Sequence, residues 1–513
     1  MSQKFTSTIA GASIFISILG LASRGLGFIR EMIFANNFGL QTEFDIYLIG
    51  AVLPITINSI ILYVGQNYFI PEYQSKIKSN SELAQKYYRK SLLGFTTAGT
   101  VLAIFLFLIS EIIINSYIPS ASQESKNLAI QILKIFLITI PFSAGISILS
   151  ALLQAVYEFK FPAVSILFLN VAIIILLLFF STNFGVIIIP VGYVVGTVFQ
   201  FTYLIFKSRK IVKFKLFDPG NEYTLLKSFL SSSVILIILI ESISQLYTIF
   251  DRYFYSEVTS GGIASLNYAM IIFLLPISIF SIALATAVFP KITKAISDSA
   301  SEEIEKIYNE SISMNLLIFI PLTFILFFFG DTIIRLLYER GKFVEESTAI
   351  TFGVLKFYAL SIAFYSVYAV LNKIFYAINK IKLLLLVTIS GLLLKFILNF
   401  LLIDLQQNGL ALSTSISYFF FFIVSLLLLN FKLKIREKSL FFKDFIFHLL
   451  NCLVCFTSIQ IIITVFNHNS TLNELLVIVS FIIICFINLV IVKHKAVGIS
   501  ARVFEQFYKS RIT

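Results

Sequence analysis

The sequence predicts an all-α polytopic membrane protein with about fourteen transmembrane helices, arranged as two six-helix lobes and a C-terminal pair. Three observations carry this. Of 513 residues, 58% are hydrophobic and only 13% charged, and the mean hydropathy is +0.94, far above that of a soluble domain. The apolar runs are long enough to cross a bilayer's hydrocarbon, which takes about 20 helical residues, and they lack the alternation over about 10 residues that marks a barrel strand. The basic residues gather in alternate loops.

The apolar segments run approximately over 9–30, 44–69, 91–116, 128–156, 161–182, 184–206, 226–254, 263–289, 311–330, 347–377, 383–403, 408–430, 441–466 and 472–492. The first has no small-residue cleavage site after a short apolar core, so it reads as a retained helix rather than a signal peptide. Loops after even-numbered segments hold the cations: Lys76 to Lys90, then Lys207 to Lys215, Lys291 and Lys294, Lys380 and Lys382, and Lys432 to Lys438. Most loops after odd-numbered segments are short, polar or acidic. The positive-inside rule therefore places both termini in the cytoplasm. The net charge of +12 is topological and requires no nucleic acid. One outer loop, 331–348, departs from the pattern with Arg335, Arg340 and Lys342, but Asp331, Glu339, Glu345 and Glu346 offset them. Such a loop suggests an ordered external element.

An internal repeat divides the chain. A gapless shift of 222 residues lays Leu53-Pro54-Ile55-Thr56-Ile57 on Leu275-Pro276-Ile277-Ser278-Ile279, Leu133-Lys134 on Leu355-Lys356, Lys160 on Lys382 and Arg30 on Arg252. One offset serving several segments points to duplication. The expected domains are a lobe over 1–220, a second over 221–435, and segments 13 and 14 with a cytoplasmic tail over 436–513. Six helices per lobe is even, so both lobes enter the membrane the same way. A pseudo-two-fold axis along the membrane normal, with a cavity between the lobes, is a transporter's geometry.

Charge inside this apolar frame marks the candidate site. Arg24, Arg30 and Glu31 close the first segment; Arg24 and Glu31 share a helix face and Arg30 lies about 120° round. Asp45, at the start of segment 2, is the expected charge partner. An arginine at mid-membrane costs about 2.5–3.5 kcal/mol on insertion scales, so it faces a partner or a wet cavity. For Arg24 the alternatives are an internal ion pair and a cation facing an anionic substrate such as a phosphate, for which the planar guanidinium is suited. In segment 7, Glu241, Gln245 and Arg252 form one stripe, with Asp251 about 100° from Arg252. In segment 11, Thr388, Lys395 and Asn399 form another. Lys134 and Lys356, nearer helix ends, are expected to snorkel. Cys452, Cys455 and Cys485 lie in apolar runs and read as buried small residues; His448 sits one turn before the first. His448, His468 and His494 are dispersed, and no phosphate-binding glycine loop or soluble nucleotide domain occurs. The chain is therefore expected not to be an enzyme, to need no cofactor or metal, and to be driven by an ion gradient or membrane potential.

The stretches "SRGLGFIREMIFANNFG…FDIYLIGAVLP", "FPAVSILFLN", "DRYFYSEVTSGGIASLNYA", "VFPKITK" and "IIRLLYERGKFVEESTAIT" together resemble the MurJ/MviN lipid II flippases of the multidrug/oligosaccharidyl-lipid/polysaccharide exporter superfamily. The resemblance implies an inverted-V protein of the bacterial inner membrane. It would work by alternating access, as a monomer, moving an undecaprenyl-pyrophosphate-linked peptidoglycan precursor to the outer leaflet. The lipid-linked oligosaccharide and membrane lipids are its implied partners. Family residues that serve the substrate match Arg24, Arg30, Glu31 and Asp45. There are departures: Asn58, Ser59 and Tyr63 stand where many members carry arginines and an acid, and Met270-Ile271 replace a polar pair. Another undecaprenyl-linked glycan, such as an O-antigen or capsule unit, is the alternative substrate, and a drug/cation antiporter a more distant one. Some relatives hold sodium among segments 7, 11 and 12; here Asp251 matches an acid, while Lys395 stands where a metal ligand is expected. Lys395 would then act as a built-in cation paired with Asp251 or Glu241.

Overall fold

The computed structural model describes residues 9–209, 232–436, 440–466 and 471–492. Within them the regular structure is helical, with no strand. Residues 226–231, Lys210, Lys213, Lys215, Lys438, His468, His494 and the tail lie outside the described residues, as does the side chain of Glu241. The chain forms two compact units, Met1–Ala264 with Arg340–Phe343, and Ser265–Glu339 with Val344–Thr513.

Unit 1 is built on α1 (Ile9–Phe38), α2 (Thr42–Ser79), α3 (Ser81–Leu108), α4 (Ser110–Tyr117), α5 (Gln123–Leu137), α6 (Thr139–Ala155), α7 (Lys160–Phe184), α8 (Ile188–Ser208) and α9 (Ser232–Tyr253). Two boundaries are set by side-chain caps. Asn80 accepts from the Glu82 amide at 2.7 Å to start α3, and Ser122 accepts from the Ser125 amide at 3.2 Å to start α5, each satisfying a donor the helix itself leaves open. Helix α2 is the hub, packing on α3, α5, α6 and α9. At Gly65 it comes so close to α6 that a Cβ would overlap Ser147, and the Ser147 hydroxyl donates to the Ile61 carbonyl at 2.9 Å. Nearer its C-terminus, Phe69, Tyr73, Tyr87, Tyr88, Leu152 and Leu204 make a buried cluster.

Unit 2 takes up α10 (Gly262–Pro276) from Ser265 onward, then α11 (Ile282–Ser297), α12 (Ser301–Phe328), α13 (Gly330–Tyr338), α14 (Glu345–Ala359), α15 (Ile362–Ala377), α16 (Ile381–Leu401), α17 (Gln406–Lys432), α18 (Leu440–Phe466) and α19 (Thr471–Ile491). Pro276 lacks the amide that an α-helix needs, and a π-helical turn at Ile277–Ser281 follows it. Its core includes stacked rings: Phe273 on Tyr418 at 5.9 Å, Tyr418 on Tyr365 at 4.0 Å, and Tyr368 on Phe421 at 5.0 Å. Helix α18 rests on α12, where Ser313 donates to the buried Asp444 carboxylate. Glu474, in the first turn of α19, accepts from Thr332 at 2.8 Å.

The protein is thus an all-helical multi-pass membrane protein, but the expected count of fourteen spans is not reached by length and apolarity alone. Ten described helices qualify, or eleven with the pair Glu345–Ala359 and Ile362–Ala377, bent by 51°. Part of the difference is a merger, because Lys160–Ser208 enters that count as one span. A 3-10 turn at Gly185–Ile187 divides it. Gly192 then packs on Ile173 and Gly196 on Leu169, the antiparallel register of a helical hairpin. Helices α1 and α9, which hold most of the candidate charges, are not among the ten.

Candidate functional site

Helix α1 delivers its charges at two depths. Arg24 is exposed. Arg30, about 9 Å further along the helix at 1.5 Å per residue, is largely buried. Its guanidinium pairs with Glu31 at 2.6 Å and donates to Asn170 on α7 at 3.2 Å. It also lies over the rings of Phe34 at 5.6 Å and Tyr193 at 5.5 Å. Glu31 is itself 9% exposed. An arginine fork held by a carboxylate, an amide and two aromatic faces has its charge compensated in place.

Sequence reasoning expected a guanidinium opposite Asp45. The structure instead buries Asp45 completely. One carboxylate oxygen accepts from the Gly261 amide at 2.7 Å and the other from the Ala264 amide at 2.6 Å. Asp45 therefore caps the start of α10, a helix that begins at Gly262; a carboxylate there satisfies open amides and complements the helix dipole. Arg252 donates to the Leu48 carbonyl, three residues further along α2.

Around Asp45 three loops meet on backbone contacts. Gly39, Gly261 and Gly341 adopt φ of +54°, +80° and +57°, and a Cβ on each would overlap the carbonyl of Lys342, Leu40 and Asn36 respectively. Only glycine satisfies both demands. The Lys342 amide donates to the Asn36 carbonyl at 2.9 Å, its ammonium to Gln41 at 3.1 Å, and the Thr42 and Ser260 hydroxyls lie 2.6 Å apart. The segment 331–348, expected to be a loop, is mostly helical, belonging to α13 as far as Tyr338 and to α14 from Glu345, and between them it contributes Arg340–Phe343 to unit 1.

On α9, Asp251 is buried and Gln245 half-buried. Tyr117 donates to the Ile249 carbonyl at 2.6 Å, beside an apolar cavity of about 300 Å³ lined by Gly50, Leu53, Ile114, Leu133 and Tyr253 among others. In unit 2, Lys395 and Asn399 have no exposed surface. Lys395 donates to Thr414 on α17 at 2.6 Å, and Ser413 donates to Asn399. Lys134 reaches Glu111 at 3.5 Å and the Phe107 ring at 5.3 Å, and Lys356 covers the Phe352 ring at 4.1 Å. The three cysteines are free and buried. Among the described residues no group of three or more His, Cys, Asp or Glu is placed to hold a metal.

The candidate residues are therefore gathered in groups: Arg30 with Glu31, Asp45 with the start of α10, and Lys395 and Asn399 with α17. Sequence reasoning missed the neutral partners Asn170, Thr414 and Ser413. A signal existed for Asn170, the one amide side chain in the largely apolar run 161–182. None existed for the glycine carbonyl contacts, which depend on residues far apart in the chain.

The sequence model of the lipid II flippase MurJ family matches residues 34–486. A probable lipid II flippase MurJ from Buchnera aphidicola subsp. Acyrthosiphon pisum is 29% identical over 469 residues, 90% of this chain and 91% of that protein. The lipid II flippase MurJ of Thermosipho africanus is 28% identical over 452 residues, 87% of this chain and 90% of that one. Among solved structures, a lipid II flippase MurJ in an inward closed conformation superposes with a TM-score of 0.79 at 25% identity, covering 98% of this chain and 100% of the other. An inward-facing multidrug resistance transporter of the MATE family, in the MOP superfamily, matches with a TM-score of 0.64 at 16% identity over 81% and 96% of the two chains; that likeness shows the fold alone.

Proposed function

The chain belongs to the lipid II flippase MurJ family, and we propose that it moves lipid II, the undecaprenyl-pyrophosphate-linked peptidoglycan precursor, from the inner to the outer leaflet of the bacterial inner membrane. The observation that carries this reading is the family match over residues 34–486, which spans α2 to α18 and much of α19. It favours lipid II over another undecaprenyl-linked glycan. The alternation of basic loops supports cytoplasmic termini. The repeat supports lobes over 1–220 and 221–435, with 436–513 as an addition, that alternate access as a monomer under an ion gradient or membrane potential.

Within this proposal Arg24, exposed on α1, meets the pyrophosphate first. Arg30 is the second cation, held ready by Glu31 and Asn170 and released to the substrate when the incoming anion competes with Glu31. Asp45 and Arg252 serve the substrate indirectly, by fixing the start of α10 and the first turns of α2. Glu241, Gln245 and Asp251 on α9, and separately Lys395 and Asn399 on α16, are proposed to couple the cycle. The test is rescue: expression in a bacterial strain depleted of its own lipid II flippase should restore growth and rod shape. Failure there, with rescue of an O-unit exporter mutant instead, overturns the lipid II reading.

A further inference from the structure

Lys395 is the fifteenth residue of a helix that is otherwise almost wholly apolar, Ile381–Leu401, and it has no exposed surface. Its ammonium does not run out to an interface as a snorkelling lysine does. It reaches across from α16 to a hydroxyl on α17. The Thr414 hydroxyl accepts from it at 2.6 Å and lies 3.0 Å from the Leu410 carbonyl. One turn on, Ser413 donates to Asn399 and lies 2.8 Å from the same Leu410 carbonyl. Asn399, Ser413 and Thr414 are, like Lys395, fully buried.

A hydroxyl staple between the two helices would need no charge. A serine or asparagine at 395 could bond Thr414 without bringing an ammonium into the membrane interior, where charge is expensive and tends to mark function. What this position adds over a neutral residue is therefore a fixed positive charge. Hydroxyl, amide and backbone carbonyl oxygens are also the acceptors that hard cations take. The sodium that the family resemblance implied does not fit here, because the Lys395 ammonium already stands against Thr414, and a second cation beside it would meet like-charge repulsion in a dry site.

We infer that Lys395 is a covalently tethered monovalent cation, filling the place between α16 and α17 that a free ion would take, so that this chain has no sodium requirement. The ion-binding half of this inference stands on the local geometry; the statement about the transport cycle rests on the flippase reading.

The test compares purified full-length wild type, Lys395→Asn, Lys395→Gln and Lys395→Arg in sodium chloride against choline chloride at equal ionic strength, by thermal melting and by equilibrium binding of radiolabelled sodium. Wild type and Lys395→Arg should melt alike in both salts and bind no sodium. Lys395→Asn, which removes the amine and adds a carboxamide oxygen, should gain a saturable, sodium-specific rise in melting temperature of a few degrees. Stoichiometric sodium binding by the wild type overturns the inference. So does a folded Lys395→Asn or Lys395→Gln protein that responds equally to both salts. If neither variant folds, the wild-type binding measurement decides alone. Failure to rescue a flippase-depleted strain would overturn the flippase reading and leave these binding results standing.

Discussion

Arg30 and Glu31 form a pair in which each residue determines what happens to the other. Removing only the guanidinium leaves the Glu31 carboxylate, 9% exposed, without its ion-pair partner, and breaking a buried pair costs about 3 kcal/mol or more. Arg30→Ala should therefore lose both stability and transport. The double variant Arg30→Ala/Glu31→Ala should recover most of the melting temperature but not the flipping, whereas Arg24→Ala, at an exposed site, should lose flipping with little change in melting. Melting in detergent and lipid II flipping in proteoliposomes separate these outcomes; normal transport by both Arg24→Ala and the double variant would remove the anion-binding role. At this scale the sequence was informative about which side chains carry charge and silent about their neutral partners. A guanidinium near an acid can be anticipated from adjacency at 30 and 31, while Asn170 is 140 residues away.

The start of α10 shows how an element can depend on another far along the chain. The Gly261 amide just before it and the Ala264 amide in its first turn are satisfied by Asp45, 216 and 219 residues earlier. Asp45→Ala should cost about 1–3 kcal/mol, the penalty for leaving buried donors unmade, and Asp45→Asn, which keeps an acceptor oxygen, should cost less. The measurement is hydrogen exchange at Gly261 and Ala264, which should rise in the alanine variant before any other part of α10 responds; unchanged protection at both amides would show that the cap is dispensable. Helices were the most legible elements, because apolar runs as long as 161–182 and 383–403 have no other stable form in a bilayer. Turns were less so. The break at Gly185–Ile187 lies just inside the predicted segment 184–206, close to the expected boundary, but the division of segment 4 at Ile138 into α5 and α6 and the π turn after Pro276 leave no distinct mark in an apolar run.

At the scale of the whole molecule, the recurring offset of 222 residues and the alternating loop charge made the polytopic architecture readable. The two compact units meet in sequence at Ala264 and Ser265, a place with no change in composition to announce it. Nor does composition reveal that Arg340–Phe343 joins unit 1 while the residues before and after it belong to unit 2. That placement rests on backbone contacts made possible by glycines with positive φ, and glycine at 341 reads in sequence as an ordinary turn.

The crossing of Arg340–Phe343 into unit 1 has an experimental use. The Lys342 amide is bonded to the Asn36 carbonyl at 2.9 Å, and it can exchange its proton with water only while that bond is open. A single peptide carrying this amide is thus a clock for how often that bond opens. Gly341→Ala, which cannot hold the same backbone without overlapping Asn36, should make the clock run fast. An exchange rate indifferent to that substitution would show that the bond does not protect the amide at all.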